Sequence, residues 1–344
     1  MKLFGDNGAH VLVDGQFGST GKGALAAWLA TMAVATGAYR SFAGSISTSG
    51  PNSGHTSYLY DQKIVLKQLP TFGVHLHIRG FTIPLYLAAG SIIDPDVLVE
   101  EALRYPDLRI FVHPNAAVVA PKDKVTEQSG SIKTIASTQS GTGAALASKI
   151  MREPSAIARN SLGTMPPNVV FQEHNLRPDK EAYFIEVGQG FSLGINSEFY
   201  PHVTSRECTV MQALADTRIT PGLLAKTYMC VRTYPIRVGN LEGHSSGDWY
   251  DDQEETTWEA IGQTPELTTV TKRIRRIATF SEQQFLDAVR ANDPDWIAVN
   301  FLNYLDSDQL QVFMDALTDH QSVAQKRYGI ILGRGPTIND WMLL

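Results

Sequence analysis

Residues 10–14 (HVLVD) are a short, β-branched apolar run that stops at Gly15-Gln16-Phe17-Gly18-Ser19-Thr20-Gly21-Lys22-Gly23, and an alanine- and leucine-rich stretch, 24–35, follows at once. A strand, a glycine loop and a helix in immediate succession admit few folds, and this is the opening unit of many nucleotide-binding α/β proteins. Glycines at the turn let backbone N–H groups crowd around phosphate oxygens, and the helix N-terminus adds partial positive charge. Lys22 adds a full charge. The pattern is close to the phosphate-binding loop, but Gly23 stands where that motif has Ser or Thr after the lysine. A glycine turn can also do no more than pack a helix tightly on a strand. The lysine set between glycines favours phosphate binding.

Later apolar runs at 109–112, 168–171, 182–187, 296–299 and 328–332 read as further strands, and 96–104, 280–291 and 308–317 as helices between them. This alternation predicts an α/β fold with a mostly parallel central sheet and flanking helices. Residues 41–56, 129–143 and 239–259 read as long polar loops, the kind that carry function. No repeat or linker interrupts the chain, so a single domain over 1–344 is expected. A net charge of −6 and a pI near 5.8 disfavour duplex nucleic acid as the main partner, yet leave room for a small anionic ligand bound by a local basic cluster. Cys208 and Cys230 form no CxxC pair, which argues against a disulfide scaffold or structural zinc and for a reduced, cytoplasmic setting. The first ten residues lack the pattern of a signal peptide. No apolar run approaches the ~20 residues of a membrane span.

One βα unit after the glycine loop comes Asn52-Ser53-Gly54-His55-Thr56. Together the two elements resemble adenylosuccinate synthetase, whose glycine loop reads GQWGDEGKGK and is followed by NAGHT. The resemblance runs on through LKQLPTF (66–72), Ala89-Gly90-Ser91, Ile93-Asp94-Pro95 and STQSGTG (137–143), which is similar to the family's GTTGRGIG. It continues through Arg152, Gly188-Gln189-Gly190, YPHVT (200–204), Arg237-Val238-Gly239, TTVTKRIRR (268–276) and Gly335-Pro336. It implies a carbon–nitrogen ligase that joins aspartate to carbon 6 of a purine nucleotide.

By the same resemblance, Ser19, Lys22, His55 and Gln189 stand at the catalytic positions. Asn52, Thr138, Gln139, Gln189, Thr204 and Val238 hold the nucleotide, with Ser19 beside its base and Arg152 reaching in from the neighbouring subunit of a homodimer. Thr269, Thr271, Arg273 and Arg275 hold the aspartate; a basic cluster of this kind can clamp a dicarboxylate, although alone it reads as a solvated face. Thr20, Gly21, Lys22, Gly23, Gly54, His55, Thr56, Asn303, Gly335 and Pro336 bind the triphosphate donor, and Ser19 and Gly54 ligate Mg²⁺.

Two departures from the family pattern touch the chemistry. Ser19 and Thr20 replace the loop's aspartate and glutamate. A serine hydroxyl is no useful base without an activator. It is also shorter than aspartate, which opens room beside carbon 2 of the purine for an amino group whose hydrogen bond Ser19 can accept. At the donor base the family's T-K-L-D becomes Asn300-Phe301-Leu302-Asn303. An amide suits adenine's edge, and a phenyl ring offers a stacking surface. Both changes resemble the bacteriophage branch of the family, and imply dGMP as acceptor, ATP or dATP as donor, and the host cytoplasm as setting. The group that takes the N1 proton stays open between water, the substrate aspartate and His55. Two rivals remain: an ordinary adenylosuccinate synthetase acting on IMP, and a nucleotide-binding regulator that lost catalysis.

Overall fold

The computed structural model describes residues 1–5, 7–59, 62–129, 135–268, 272–323 and 327–344, with 319–323 described by their backbone alone. Among the described residues, ten strands form one sheet. From edge to edge they run Trp341–Leu343, Gly329–Gly333, Trp296–Asn300, Leu224–Arg232, Gly8–Asp14, Ala182–Glu186, Phe42–Ser47, Leu85–Leu87, Ile110–Val112 and Val169–Phe171. Every pairing is parallel except that of the terminal Trp341–Leu343.

The strand read from HVLVD lies mid-sheet and is buried along its whole length. Side chains alternate across a strand. Ala9, Val11 and Val13 therefore pack on one face with Val210, Leu214, Phe285 and Val289, whereas Leu12 packs on the other with Leu25, Trp28 and Leu29. The latter three belong to the helix Lys22–Thr36, which is buried from Lys22 to Ala30. Its outer side is covered by the hairpin of His55–Leu59 and Gln62–Leu66 and by the helix Thr71–Ile78.

That cover explains Gly23. A Cβ at this position would sit 2.5 Å from the Thr56 carbonyl oxygen and 2.7 Å from the Thr56 nitrogen. The Ser or Thr of the common phosphate-binding loop does not fit, because here the strand carrying His55 lies directly on the helix start.

The expected loop at 41–56 is corrected. Phe42–Ser47 is an inner strand between Ala182–Glu186 and Leu85–Leu87, and His55 opens the hairpin. Its small residues serve close packing: a Cβ on Gly44 would overlap the Tyr86 ring, and the Gly73 N–H donates to Ser45 Oγ at 3.2 Å. Leu224–Arg232 is a nine-residue central strand that the apolar runs did not mark, because Lys226 and Thr227 interrupt it. Of the segment 129–143, residues 130–134 lie outside the described ones, and Thr142 begins the helix Thr142–Ile150. Among the described residues no helix is long and apolar enough to cross a membrane. Both cysteines are buried free thiols, which burial pushes up to about 12.

Candidate active site

The central strand delivers Asp14 to the carboxyl end of the sheet, where α/β proteins bind their ligands. Its carboxylate organises the glycine loop. Oδ1 accepts the N–H groups of Gln16 at 2.9 Å and Gly18 at 3.2 Å. Oδ2 accepts the Thr20 hydroxyl at 2.6 Å and the Lys22 ammonium at 3.0 Å. Lys22 also donates to the Gln189 carbonyl at 2.6 Å, which ties the loop to the end of a neighbouring strand. Lys22 thus reaches the cavity with its charge already balanced. The Thr20 side chain is turned inward.

The approach of the two turns is close. A Cβ on Gly190 would overlap the Gly18 nitrogen, while Ser19 and Gln189 hold φ of 56° and 61°, in the left-handed region that non-glycine residues rarely adopt. Such outliers concentrate at functional sites.

His55 projects beside this loop. Its Nδ1 lies 3.1 Å from Glu186 Oε2, and Glu186 Oε1 accepts the Phe72 N–H at 2.7 Å. A carboxylate at Nδ1 orients the ring and leaves Nε2 as the working nitrogen. Nε2 is buried without a partner, in a residue that lines the cavity.

The cavity encloses about 560 Å³, within the usual range for a small-ligand site. Ser19, Lys22, Asn52, Gly54, His55, Thr138, Gln189, Thr204, Val238 and Arg275 all line it. The Asn52 amide donates to Thr204 Oγ1 at 3.3 Å, so two residues 152 positions apart meet on one wall. Opposite them Thr138, Ser140 and Thr142 form a hydroxyl chain with steps of 3.0 Å each. Glu127, buried below, accepts the N–H groups of Gly141 and Gly143 at 2.7 Å each and so holds that loop in place. Arg237 also lines the cavity; it stacks 4.4 Å from the Phe17 ring and donates to the carbonyls of Ser246, Asp248 and His202. Burial, reinforced by the nearby Arg276 charge, brings its guanidinium down to about 10. Burial, with the Arg232 charge adding to it and Glu266 opposing, does the same for Arg275. Both remain cationic at neutral pH.

Other expected residues lie apart from this cavity. Thr20, Gly21, Gly23, Thr56, Gln139 and Arg273 are near it in the chain but do not line it. Asn303, exposed on the short turn after the strand Trp296–Asn300, and Gly335-Pro336, after the parallel neighbour Gly329–Gly333, follow the carboxyl ends of adjacent strands. Arg152 is exposed at the end of the helix Thr142–Ile150 and does not reach the cavity of its own chain. Thr269 and Thr271 lie outside the described residues. Sequence reasoning missed Asp14, Glu186, Glu127 and Lys67, the last a half-buried cation on the cavity wall.

A profile of adenylosuccinate synthetase matches residues 11–164 and 159–327. The chain belongs to the adenylosuccinate synthetase family. It is 36% identical over 348 residues to the N6-succino-2-amino-2′-deoxyadenylate synthase of Vibrio phage phiVC8, covering 96% of each chain. It is 26% identical to the adenylosuccinate synthetase of a Pyrococcus strain, over 92% of this chain and 88% of that one. Among solved structures, the succinoaminodeoxyadenylate synthetase of cyanophage S-2L, bound to dGMP and to dATP as an energy donor, superposes with a TM-score of 0.86 at 32% identity, covering 98% of this chain and 95% of that one. Plasmodium falciparum adenylosuccinate synthetase, at 16% identity and a TM-score of 0.78 over 99% of this chain and all of the other, shares the fold. Within the family, then, this chain is more similar in sequence to these phage enzymes than to the archaeal one.

Proposed function

We propose that this enzyme condenses dGMP with L-aspartate, using ATP or dATP, to give N6-succino-2-amino-2′-deoxyadenylate, the nucleoside diphosphate and phosphate. The observation that carries the choice of purine is the floor at Ser19. Among the described residues the only carboxylate lining the cavity is Glu127, and it is engaged by backbone amides. Asp14 is turned away onto Thr20 and Lys22. A purine with a 2-amino group then meets a hydroxyl where IMP enzymes of the family present an acid.

In the first step O6 of the guanine attacks the γ-phosphorus as N1 releases its proton to water; the O6–P bond forms as the bond to the bridging β–γ oxygen breaks. In the second, the aspartate amine attacks carbon 6 and the C6–O6 bond breaks with release of phosphate, while the amine gives up a proton to water. Lys22 and the loop N–H groups not held by Asp14 are the donors for the transferring phosphoryl, and fixed donors of this kind stabilise its charge. The His55 Nε2–H, oriented through Glu186, donates to the same oxygens. Asn52, Thr138 and Thr204 hold the 5′-phosphate, Gln189 the base and Val238 the sugar, while Arg275 and Arg273 take the aspartate carboxylates. Asn303, Gly335 and Pro336 border the donor base.

The described residues include no cluster of acidic or histidine side chains able to hold a metal by themselves. Ser19 and the exposed Gly54 carbonyl are hard oxygen donors at the cavity, and they fit an ion that arrives on the triphosphate and keeps most of its water. Mg²⁺ bound there supplies charge neutralisation across the phosphates. Arg152, exposed and outside its own cavity, serves the site of a second subunit in a homodimer, readable by gel filtration. The similarity to phage enzymes supports an infected host's cytoplasm as the setting for this work.

Ser19→Asp tests the reading of the floor. It is expected to lower kcat/KM for dGMP about a hundredfold, through an acid crowded against the 2-amino edge. Unchanged turnover of dGMP, followed by mass spectrometry of the succino product, contradicts it.

A further inference from the structure

Arg232 is the bulkiest fully buried side chain among the described residues, and it does not line the cavity. It ends the central strand Leu224–Arg232, where it pairs with Asn300 of the adjacent strand just before the donor-base turn. Its backbone is clamped by the Gln16 amide, which accepts the Arg232 N–H at 2.9 Å and donates to the Arg232 carbonyl at 3.1 Å. The guanidinium reaches three elements at once. Nη2 lies 2.7 Å from Glu266 Oε1, and Nη1 donates to the Ser19 carbonyl at 3.1 Å. The guanidinium carbon sits 3.8 Å from the centre of the Phe301 ring. Tyr304 closes the group, its hydroxyl 3.2 Å from the same Glu266 oxygen.

Each element leads to a different part of the reaction. Phe301, held at φ 62°, is the aromatic surface expected for the donor base. Glu266 begins the clasp that carries the aspartate-binding arginines: its carbonyl accepts the Arg275 N–H at 2.9 Å, and Leu267 bridges to Ile274. Ser19 has other support, since Asp14 holds the N–H groups of Gly18 and Thr20 on either side. A buried ion pair is a poor device for stability alone, because well-packed apolar residues do as well or better. The planar fork of arginine, which pairs with a carboxylate and stacks on a ring in one pose, is not reproduced by lysine.

We propose that Arg232 is a positioning residue that locks the Phe301 platform for the donor base to the Glu266 arm of the aspartate loop, so that donor and aspartate sites are set together. This rests on the function proposed above. The test uses full-length Arg232→Lys and Glu266→Gln, with initial rates and thermal unfolding. Arg232→Lys is expected to raise KM for ATP and for L-aspartate about tenfold each, the effect of removing one charge-assisted hydrogen bond. The KM for dGMP should move less than about threefold, the weak coupling expected where the glycine loop keeps its own support from Asp14. Preference for ATP over GTP should shrink, and the double variant should be no worse than either single. Calorimetric ATP binding to the folded variant keeps the inference testable whichever purine the wild type accepts. Unchanged ATP binding in Arg232→Lys overturns it. So does a fall in kcat that follows lost thermal stability with all three KM values fixed. Absence of dGMP turnover in the wild type, with ATP binding still weakened in the variant, would instead count against the acceptor assignment alone.

Discussion

On the floor of the cavity two buried side chains are held by carboxylates: Lys22 lies 3.0 Å from Asp14, and His55 is 3.1 Å from Glu186. The rim, made by residues 135–143 and 200–205, is built differently. Thr138, Ser140 and Thr142 bond one another, and His202 Nδ1 and Ser205 Oγ are buried with no partner. The floor is held by its carboxylates before any ligand arrives, the kind of fixed arrangement that stabilises charge developing in a transition state. The rim has capacity left over, which a phosphate or sugar can satisfy. Substitutions on the floor should therefore strike kcat, and those on the rim KM.

Lys22→Ala is the severest way to break this contrast. It removes the donor proposed for the transferring phosphoryl and strands Asp14 as a buried carboxylate without a counter-charge. A fall in kcat of about a thousandfold is expected, with a loss in urea-unfolding stability of about 3 kcal/mol. A fully active variant would show that the floor is scaffold only. Glu186→Gln comes next. An amide can still meet Nδ1 but leaves the imidazole without a carboxylate, and kcat should fall about a hundredfold at nearly constant KM, as expected for a group assisting proton or charge transfer. If KM rises instead and kcat holds, His55 belongs with the rim. Thr204→Ala has the smallest expected effect: KM for dGMP rises about tenfold, the worth of one hydrogen bond to a charged group, with kcat within a factor of two. A drop in kcat there would erase the distinction between floor and rim.

Much of this architecture was legible. The strand, glycine loop and helix at the N-terminus, the helix at 96–104 and the late strands at 296–299 and 328–332 follow from apolar periodicity, and the structure places them within a few residues. Glycine- and serine-rich 42–47 was misread because a strand buried on both faces between close neighbours needs small side chains rather than apolar ones. The partners of the site were missed for a different reason. Asp14 and Lys22 are neighbours in the chain, but Glu186 meets His55 across 131 residues, and Glu266 meets Arg232 across 34. No local spacing announces such pairs. A signal was present all the same: Asp14, Glu186 and Arg232 each close an otherwise largely apolar strand, and all are buried. Charged residues are almost never fully buried unless paired, so an ionisable residue at the carboxyl end of a central strand is itself a pointer to the site.

The central claim is that Ser19 marks a site for a 2-amino purine. Its most direct test is steady-state ADP release with ATP, Mg²⁺ and L-aspartate, comparing dGMP with IMP. The account predicts turnover with dGMP, one ADP per succino-aminodeoxyadenylate formed, and kcat/KM at least about a hundredfold lower for IMP, the discrimination expected when a site built to bond a substrate group meets a ligand lacking it. Turnover with IMP and none with dGMP would contradict it, and return the chain to the ordinary synthetases of its family.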